Sequence, residues 1–283
     1  FNQQYYPDDQ ADFLLELAAE AVARGAVDAF IVSDPGMICA LRQELPQVQV
    51  FASTVAVTLN ADAVAFLAEL GCSRVILSRH LELKELKLLT DRAPGVDLEV
   101  FLMNDNCYFE EGFCSTTHSL PGFGVYCTTP WELEVRRDAT SAPIEEPEER
   151  ARWDFLVEEH REFLRSLTHR GHGEGRARMP LGPCGLCALP ELMALGIHSG
   201  KIVGREASLF RKIRSIQAVR HLRDAVLEGQ SPREVKRQAV ELRGDPRGCS
   251  AGTSCYYRSA RERDLIPLPS RPRGPRRPAR GSP

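Results

Sequence analysis

Seven of the nine cysteines in this 283-residue chain fall in loop-like stretches, and three of them, Cys107, Cys114 and Cys127, follow one another as C-x6-C-x12-C. They come just after Leu98 to Met103, an apolar run that reads as a buried strand. A second group, Cys184 and Cys187, sits in PCGLC, and a third, Cys249 and Cys255, forms a C-x5-C pair. Thiolates are soft donors that select zinc or iron–sulfur clusters. In a chain with no secretory signal, thiols after a strand suggest metal chemistry more than disulfides. A four-cysteine zinc site draws on two compact pairs. The spacing around Cys107 is looser and suits a cluster beside a substrate pocket. Cys249 and Cys255 fit either a second thiolate pair or a replacement ligand. Cys39 and Cys72 lie in apolar contexts and read as small core residues.

The elements that must position these thiols alternate. Helical periodicity runs from Asp8 to Arg24, Met37 to Glu44, Ala61 to Leu70 and Leu81 to Leu89. Between and after them come the apolar strands Val27 to Val32, Val48 to Ala52, Arg74 to Leu77 and Leu98 to Met103. The strands read as apolar on both faces, the mark of a parallel sheet covered by helices. The strand-to-strand period fits a (β/α) barrel as well as an open sheet, and the lack of a G-x-G-x-x-G after any strand argues against dinucleotide binding; the expected fold class is α/β, a (β/α) TIM-like barrel incomplete at its N-terminus, with an open sheet as the alternative. Downstream, Ser141 to Arg152 reads as a surface linker and Trp153 to Leu167 as a helix. Ala188 to Leu195 is a helix, Gly200 to Val203 a strand, and Leu209 to Glu228 and Pro232 to Leu242 are further helices.

Chemistry in a barrel gathers in the loops after the strands. Those loops carry Ser33, Asp34 and Pro35, then Ser53 and Thr54, then Ser78, Arg79 and His80, then Asn104 to Cys107. The serines also fit helix caps, whereas Arg79 and His80 are less easily explained that way. His169 and His172 lie in a Gly- and Arg-rich loop, where a solvated loop competes with a ligand role.

Net charge of −3 gives no general affinity for nucleic acid. No apolar run is long enough to span a bilayer. The opening FNQQYYPDD is not a signal peptide, which points to a cytoplasmic chain truncated before Phe1. The expected domains are a barrel-like unit over residues 1–245 with a cysteine-rich segment at 103–187, a C-terminal Cys pair at 246–258, and a disordered basic tail at 259–283. Five arginines among Pro and Gly in Arg271 to Pro283 carry that tail assignment.

LPELMALGIHSGKIVGREAS, Leu189 to Ser208, resembles a block of the collagenase-like peptidase family U32, through Leu189, Pro190, Gly196, Ser199, Lys201, Ile202, Gly204 and Arg205. VFLMNDNCYFEEGFC is similar to that family's strand ending in C-x6-C, and CTTPW at Cys127 to its third cysteine. Where members have an Arg-Glu pair, this chain has Arg79 and His80. The resemblance implies an iron–sulfur protein of oxygen-independent hydroxylation, acting on a tRNA or rRNA base or an aromatic small molecule, with prephenate as the oxygen source. It implies a [4Fe-4S] cluster on Cys107, Cys114, Cys127 and either Cys184 or Cys187. Cys184 lies six residues before Pro190, the spacing of the family's fourth ligand. Arg79, Lys201 and Arg205 are then the cations for a dicarboxylate, since guanidinium forks grip carboxylates bidentately. A paralogous heteromeric partner is a further expectation.

Two other readings compete. The family label implies proteolysis, yet neither H-E-x-x-H nor G-x-S-x-G occurs. A non-catalytic RNA-associated protein rests on the basic tail alone.

Overall fold

The structure is a computed structural model that describes residues 6–92, 95–104, 136–137, 142–155, 157–158, 183–204, 208–252 and 255–266. The first third alternates without exception. Helix α1 is Asp8–Ala23, strand β1 Ala29–Val32, α2 Pro35–Glu44, β2 Gln49–Ala52, α3 Ala61–Glu69, β3 Arg74–Ile76, α4 Leu83–Arg92 and β4 Asp97–Met103. A short ribbon follows, β5 Arg136–Arg137 with β6 Ala142–Pro143, and then helical residues 147–155 (α5). The last part contains α6 Leu189–Ala194, β7 Ser199–Ile202, α7 Leu209–Leu227, α8 Pro232–Arg243 and α9 Pro246–Ala251.

Local chemistry sets many of these boundaries. Asp34 caps α2 by accepting from the Met37 amide at 2.8 Å, and Asn60 caps α3 through Ala63 at 2.8 Å. Glu85 reaches back to the Glu82 amide at 2.7 Å, half of a capping box at the start of α4. The stretch expected to be a linker before Arg152 turns helical at residue 147. Pro147 pre-sets the first turn, Glu148 and Glu149 suit its positive end, and the Arg150 amide already bonds to Glu146 O at 2.9 Å.

Five strands form one parallel sheet in the order β1-β2-β3-β4-β7. The order never reverses, so right-handed crossovers lay the connecting helices on one side. Phe30, Val32, Val50, Ala52, Val75, Leu98, Val100 and Leu102 share one face by register and are all buried, as the helix-covered side requires. The opposite side differs from the expectation of strands apolar on both faces. In register there stand Phe51, Arg74 and Asp97, then Glu99 and Ser199, then Phe101 and Lys201. Charges were hidden in the strand pattern because they pair with one another. Arg74 reaches Asp97 and Glu99 at 3.4 Å each, and Lys201 Nζ reaches the other Glu99 oxygen at 3.4 Å. Ser199 Oγ donates to Glu99 at 3.0 Å. A barrel was expected. Five of the described strands form one parallel sheet in sequential order within a mixed α/β fold, and β5 and β6 form a separate antiparallel ribbon.

The C-terminal boundary also needs correction. Residues 259–266, expected in the disordered tail, are described and packed. Tyr256, Tyr257, Ala260 and Ile266 are buried, and the first three join the main core. Their short turns, Arg258–Ala260 and Arg263–Leu265, have no helical or strand period, so the sequence pattern gave no sign of them. Residues 267–283 lie outside the described set.

Glu82 ties this segment down. Its carboxylate accepts from the Arg258 amide at 2.9 Å, the Ser259 amide at 3.3 Å and the Ser259 hydroxyl at 2.7 Å. Burial alone would raise its pKa, but these hydrogen bonds and the charge of Arg258 outweigh it and hold the carboxyl below its usual range. A depressed acid stabilises the fold in full above its unfolded pKa, and that contribution disappears as pH falls through the folded value. Urea midpoints measured from about pH 6 down to about pH 3 should therefore fall less steeply for Glu82→Gln than for the parent.

Candidate thiol site at the carboxyl edge of the sheet

Strand β4, between β3 and β7 in the sheet, ends against a short extended piece of chain. Gly185 N donates to Leu102 O at 2.8 Å and Asn104 N to Pro183 O at 2.9 Å, so Cys184 is bridged to Met103. Cys184 is in turn bridged to Cys255, with the Tyr256 amide donating to Cys184 O at 3.1 Å. Asn104 turns the chain away with φ at +75°, a conformation Asn tolerates better than other side-chain-bearing residues. Its Nδ2 donates to Ser215 Oγ on α7 at 2.8 Å.

Two further thiols join from α9 and from the turn before α6. Asp245 caps α9 through the Gly248 amide at 3.0 Å, and Cys249 sits in its second half. Cys187 packs against the small apolar cluster of Val240, Cys249 and Ile266. Cys184, Cys187, Cys249 and Cys255 are all free thiols and all line one cavity of about 20 Å³. Three cations share the lining, Lys236 and Arg243 from one face of α8, and Arg261. Lys236 and Arg243 are buried, with Lys236 paired to Glu191 and Glu262. Arg261 donates to the carbonyls of Cys249 and Ser250 at 3.0 and 3.1 Å.

Burial pushes up the thiols of Cys187, Cys249 and Cys255 first of all, and the proximity of the other thiols adds to it. Cys249 rises to about 12 and Cys255 to about 11. Cys187 is pushed higher still, by burial and then by Cys184, Cys249 and Cys255 together. Cys187, Cys249 and Cys255 are therefore neutral thiols at neutral pH. Among the described residues, no group of three or more His, Cys, Asp or Glu side chains is already arranged to hold a metal ion.

Tyr257 anchors the site from beneath. Its hydroxyl donates to Phe101 O at 3.0 Å, and its ring is 4% exposed. A Cβ on Gly185 would stand 2.7 Å from that ring. The ring is fixed at its far end, so it cannot step aside. Gly185→Ala should lower stability by about 2 kcal/mol, and Tyr257→Phe by about 1 kcal/mol, both read from urea midpoints.

Of the residues singled out from the sequence, Cys184 and Cys187 come together, and they meet Cys249 and Cys255. Cys107, Cys114, Cys127, His169, His172 and Arg205 lie outside the described residues. Arg79 lies after β3 with its guanidinium over the Phe101 ring, 4.4 Å from the centroid. Lys201 stands instead in the Glu99 ion pair. Asp34 and Ser53 act as caps, Ser53 accepting from Val55 N at 3.1 Å. Lys236, Arg243 and Tyr257 were missed. Buried charges at α8 positions seven apart (Lys236 and Arg243) were the available signal.

The fold and site together define a parallel α/β protein with four buried or half-buried thiols near the carboxyl end of β4. The sequence model of peptidase family U32 matches residues 1–264, and the chain belongs to that family. It is 28% identical over 227 residues to the tRNA hydroxylation protein P of Escherichia coli, covering 72% of this chain and 50% of that protein. It is also 27% identical over 115 residues to the 23S rRNA 5-hydroxycytidine C2501 synthase of the same species, covering 41% and 17%. The chain thus spans about half the length of the tRNA hydroxylation protein. A solved U32 peptidase structure aligns with a TM-score of 0.31 at 18% identity, over 35% of this chain and 40% of that one. Among the described residues no helix is long and apolar enough to cross a membrane.

Proposed function

We propose that this chain takes part in the hydroxylation of an RNA base and that it carries an iron–sulfur cluster. The observation that supports the reading is the set of four thiols, two buried and two half-buried, near the end of β4 in a U32 chain similar to proteins named for tRNA and rRNA hydroxylation. Soft thiolate donors fit iron–sulfur chemistry, which supplies one-electron steps. Cys107, Cys114 and Cys127 are the ligands the family pattern assigns, with Cys184 or Cys187 as the fourth.

The sheet is the arc of a (β/α) barrel on this reading. Sequential strand order supports it, as does one helix-covered face opposed by one bearing the Arg74–Glu99–Lys201 layer. A prephenate-like dicarboxylate would enter at the carboxyl edge. Arg79 follows β3 with its guanidinium over the Phe101 ring, and Arg205 follows β7 in sequence; these are the cations assigned to the carboxylates on this reading. Lys201, held by Glu99, orders the sheet face. A paralogous partner would complete the assembly.

Comparison of hydroxylated nucleosides in total tRNA and rRNA from a deletion strain and its parent tests the reading. One hydroxylated nucleoside should disappear and return with the wild-type gene. Identical nucleoside profiles would overturn it.

A further inference from the structure

We infer that the first turns of α7 are a surface on which this chain holds RNA, with Arg211, Lys212 and Arg214 on phosphates and Phe210 under an unpaired base. The inference rests on the reading of the chain as an RNA-hydroxylation protein and adds the contact by which the RNA is held.

Position is the first support. α7 follows β7, so it starts at the carboxyl edge of the sheet. Ser215 fixes this end of the helix. Its hydroxyl donates to the Arg211 carbonyl at 2.8 Å and accepts from Nδ2 of Asn104, the residue after β4, at 2.8 Å. The core-facing side of α7 begins at Ser215 and continues through Ala218, Leu222 and Ala225. Arg211 is one turn earlier on that side, where the core has ended, and it is half-buried. Its Nε is buried with no hydrogen-bond partner. A buried donor left in that state is costly until a ligand meets it.

Charge is the second support. The chain is acidic as a whole, yet α7 holds Arg211, Lys212, Arg214, Arg220 and Arg223 against Asp224 alone. At the far end Arg220 and Arg223 share Asp224. Other exposed arginines are paired too: Arg24 with Glu20, Arg233 with Glu262 and Asp264, Arg237 with Glu234 and Glu241. Among the described residues, none of Arg211, Lys212 and Arg214 forms an ion pair. Three uncompensated cations within one turn attract phosphate whatever the net charge of the chain.

The third support is Phe210, 57% exposed, with the Arg214 guanidinium 6.0 Å from its ring centroid. Unpaired RNA bases stack on aromatic rings and on guanidinium planes.

A competing occupant is a second protein chain, because Leu209, Ile213 and Ile216 form an exposed apolar ridge on the outer side of α7. Arg220 and Arg223 continue that ridge at the same spacing. Two copies meeting along it would bring these like charges near each other, which opposes the contact.

The test is fluorescence anisotropy of the full chain with labelled total tRNA from the deletion strain, at several salt concentrations. Replacing Arg211, Lys212 and Arg214 together by Gln should weaken binding about tenfold or more and flatten the salt slope by about 2. Phe210→Ala should weaken it about tenfold with the slope unchanged. Arg237→Gln, a paired cation on α8, should change it less than about twofold. Arg214→Gln alone removes an exposed side chain, keeps the fold, and should give part of the triple effect. Parent affinity and parent salt slope in the triple variant overturn the inference, as does a parent chain that does not bind tRNA. So does a self-associated species in sedimentation that Ile213→Gln dissolves while RNA affinity stays the same, which would assign α7 to a protein interface. RNA held through α7 with identical nucleoside profiles would overturn only the hydroxylation reading, and a lost nucleoside with unaltered binding by the triple variant only this one.

Discussion

Phe101→Ala should lower unfolding free energy by about 4 kcal/mol, a large share of the roughly 5–15 kcal/mol that holds a typical domain together. Phe101 is 2% exposed and stands in β4, paired on both sides by β3 and β7. It carries Arg79 on one face and lies 6.0 Å from the Tyr256 ring. Its backbone oxygen holds Tyr257, and that bond survives the substitution. The loss is therefore the ring's burial, the cavity it leaves and the Arg79 stacking. Phe101→Leu fills most of the space and should lose about 1.5 kcal/mol. Urea unfolding of both variants beside the parent gives the two numbers. Equal stability of Phe101→Ala and the parent would mean that the ring does not support the site.

The largest expected effect on activity is at Cys114. Cys114→Ala should reduce the hydroxylated nucleoside to the level of the deletion strain. On the proposed reading Cys114 is a thiolate ligand of the cluster, and its removal would leave one iron without its donor. Cys39→Ala is the matched control. Cys39 is a half-buried residue of α2, distant in sequence from every thiol of the site. Its replacement should leave the nucleoside unchanged. A strain carrying Cys114→Ala with full modification would remove the cluster from the account.

Local chemistry made much of the first hundred residues legible. Asp34 and Asn60 are caps, Gly71 ends α3 with φ at +97°, and the apolar runs became β1 to β4 within a residue or two. The ionic face of the sheet was not legible. Arg74, Glu99 and Lys201 are far apart in sequence, and only the register sets them side by side. The C-terminal segment failed for a related reason. Tyr257 bonds to a carbonyl 156 residues upstream, and its short turns have no period to detect. The thiol site was half legible. Residue type and loop context marked Cys184, Cys187, Cys249 and Cys255 as candidates. Nothing local could show that the chain folds Cys255 back beside Cys184.

The central claim is that thiolates of this chain hold an iron–sulfur centre for RNA hydroxylation. Its most direct test is the iron and acid-labile sulfide content of the full chain purified without oxygen, read with its visible spectrum. The account predicts brown protein with iron and sulfide in equal amounts and an absorbance that bleaches on reduction. Colourless protein without sulfide, even after anaerobic reconstitution with iron and sulfide, would contradict it.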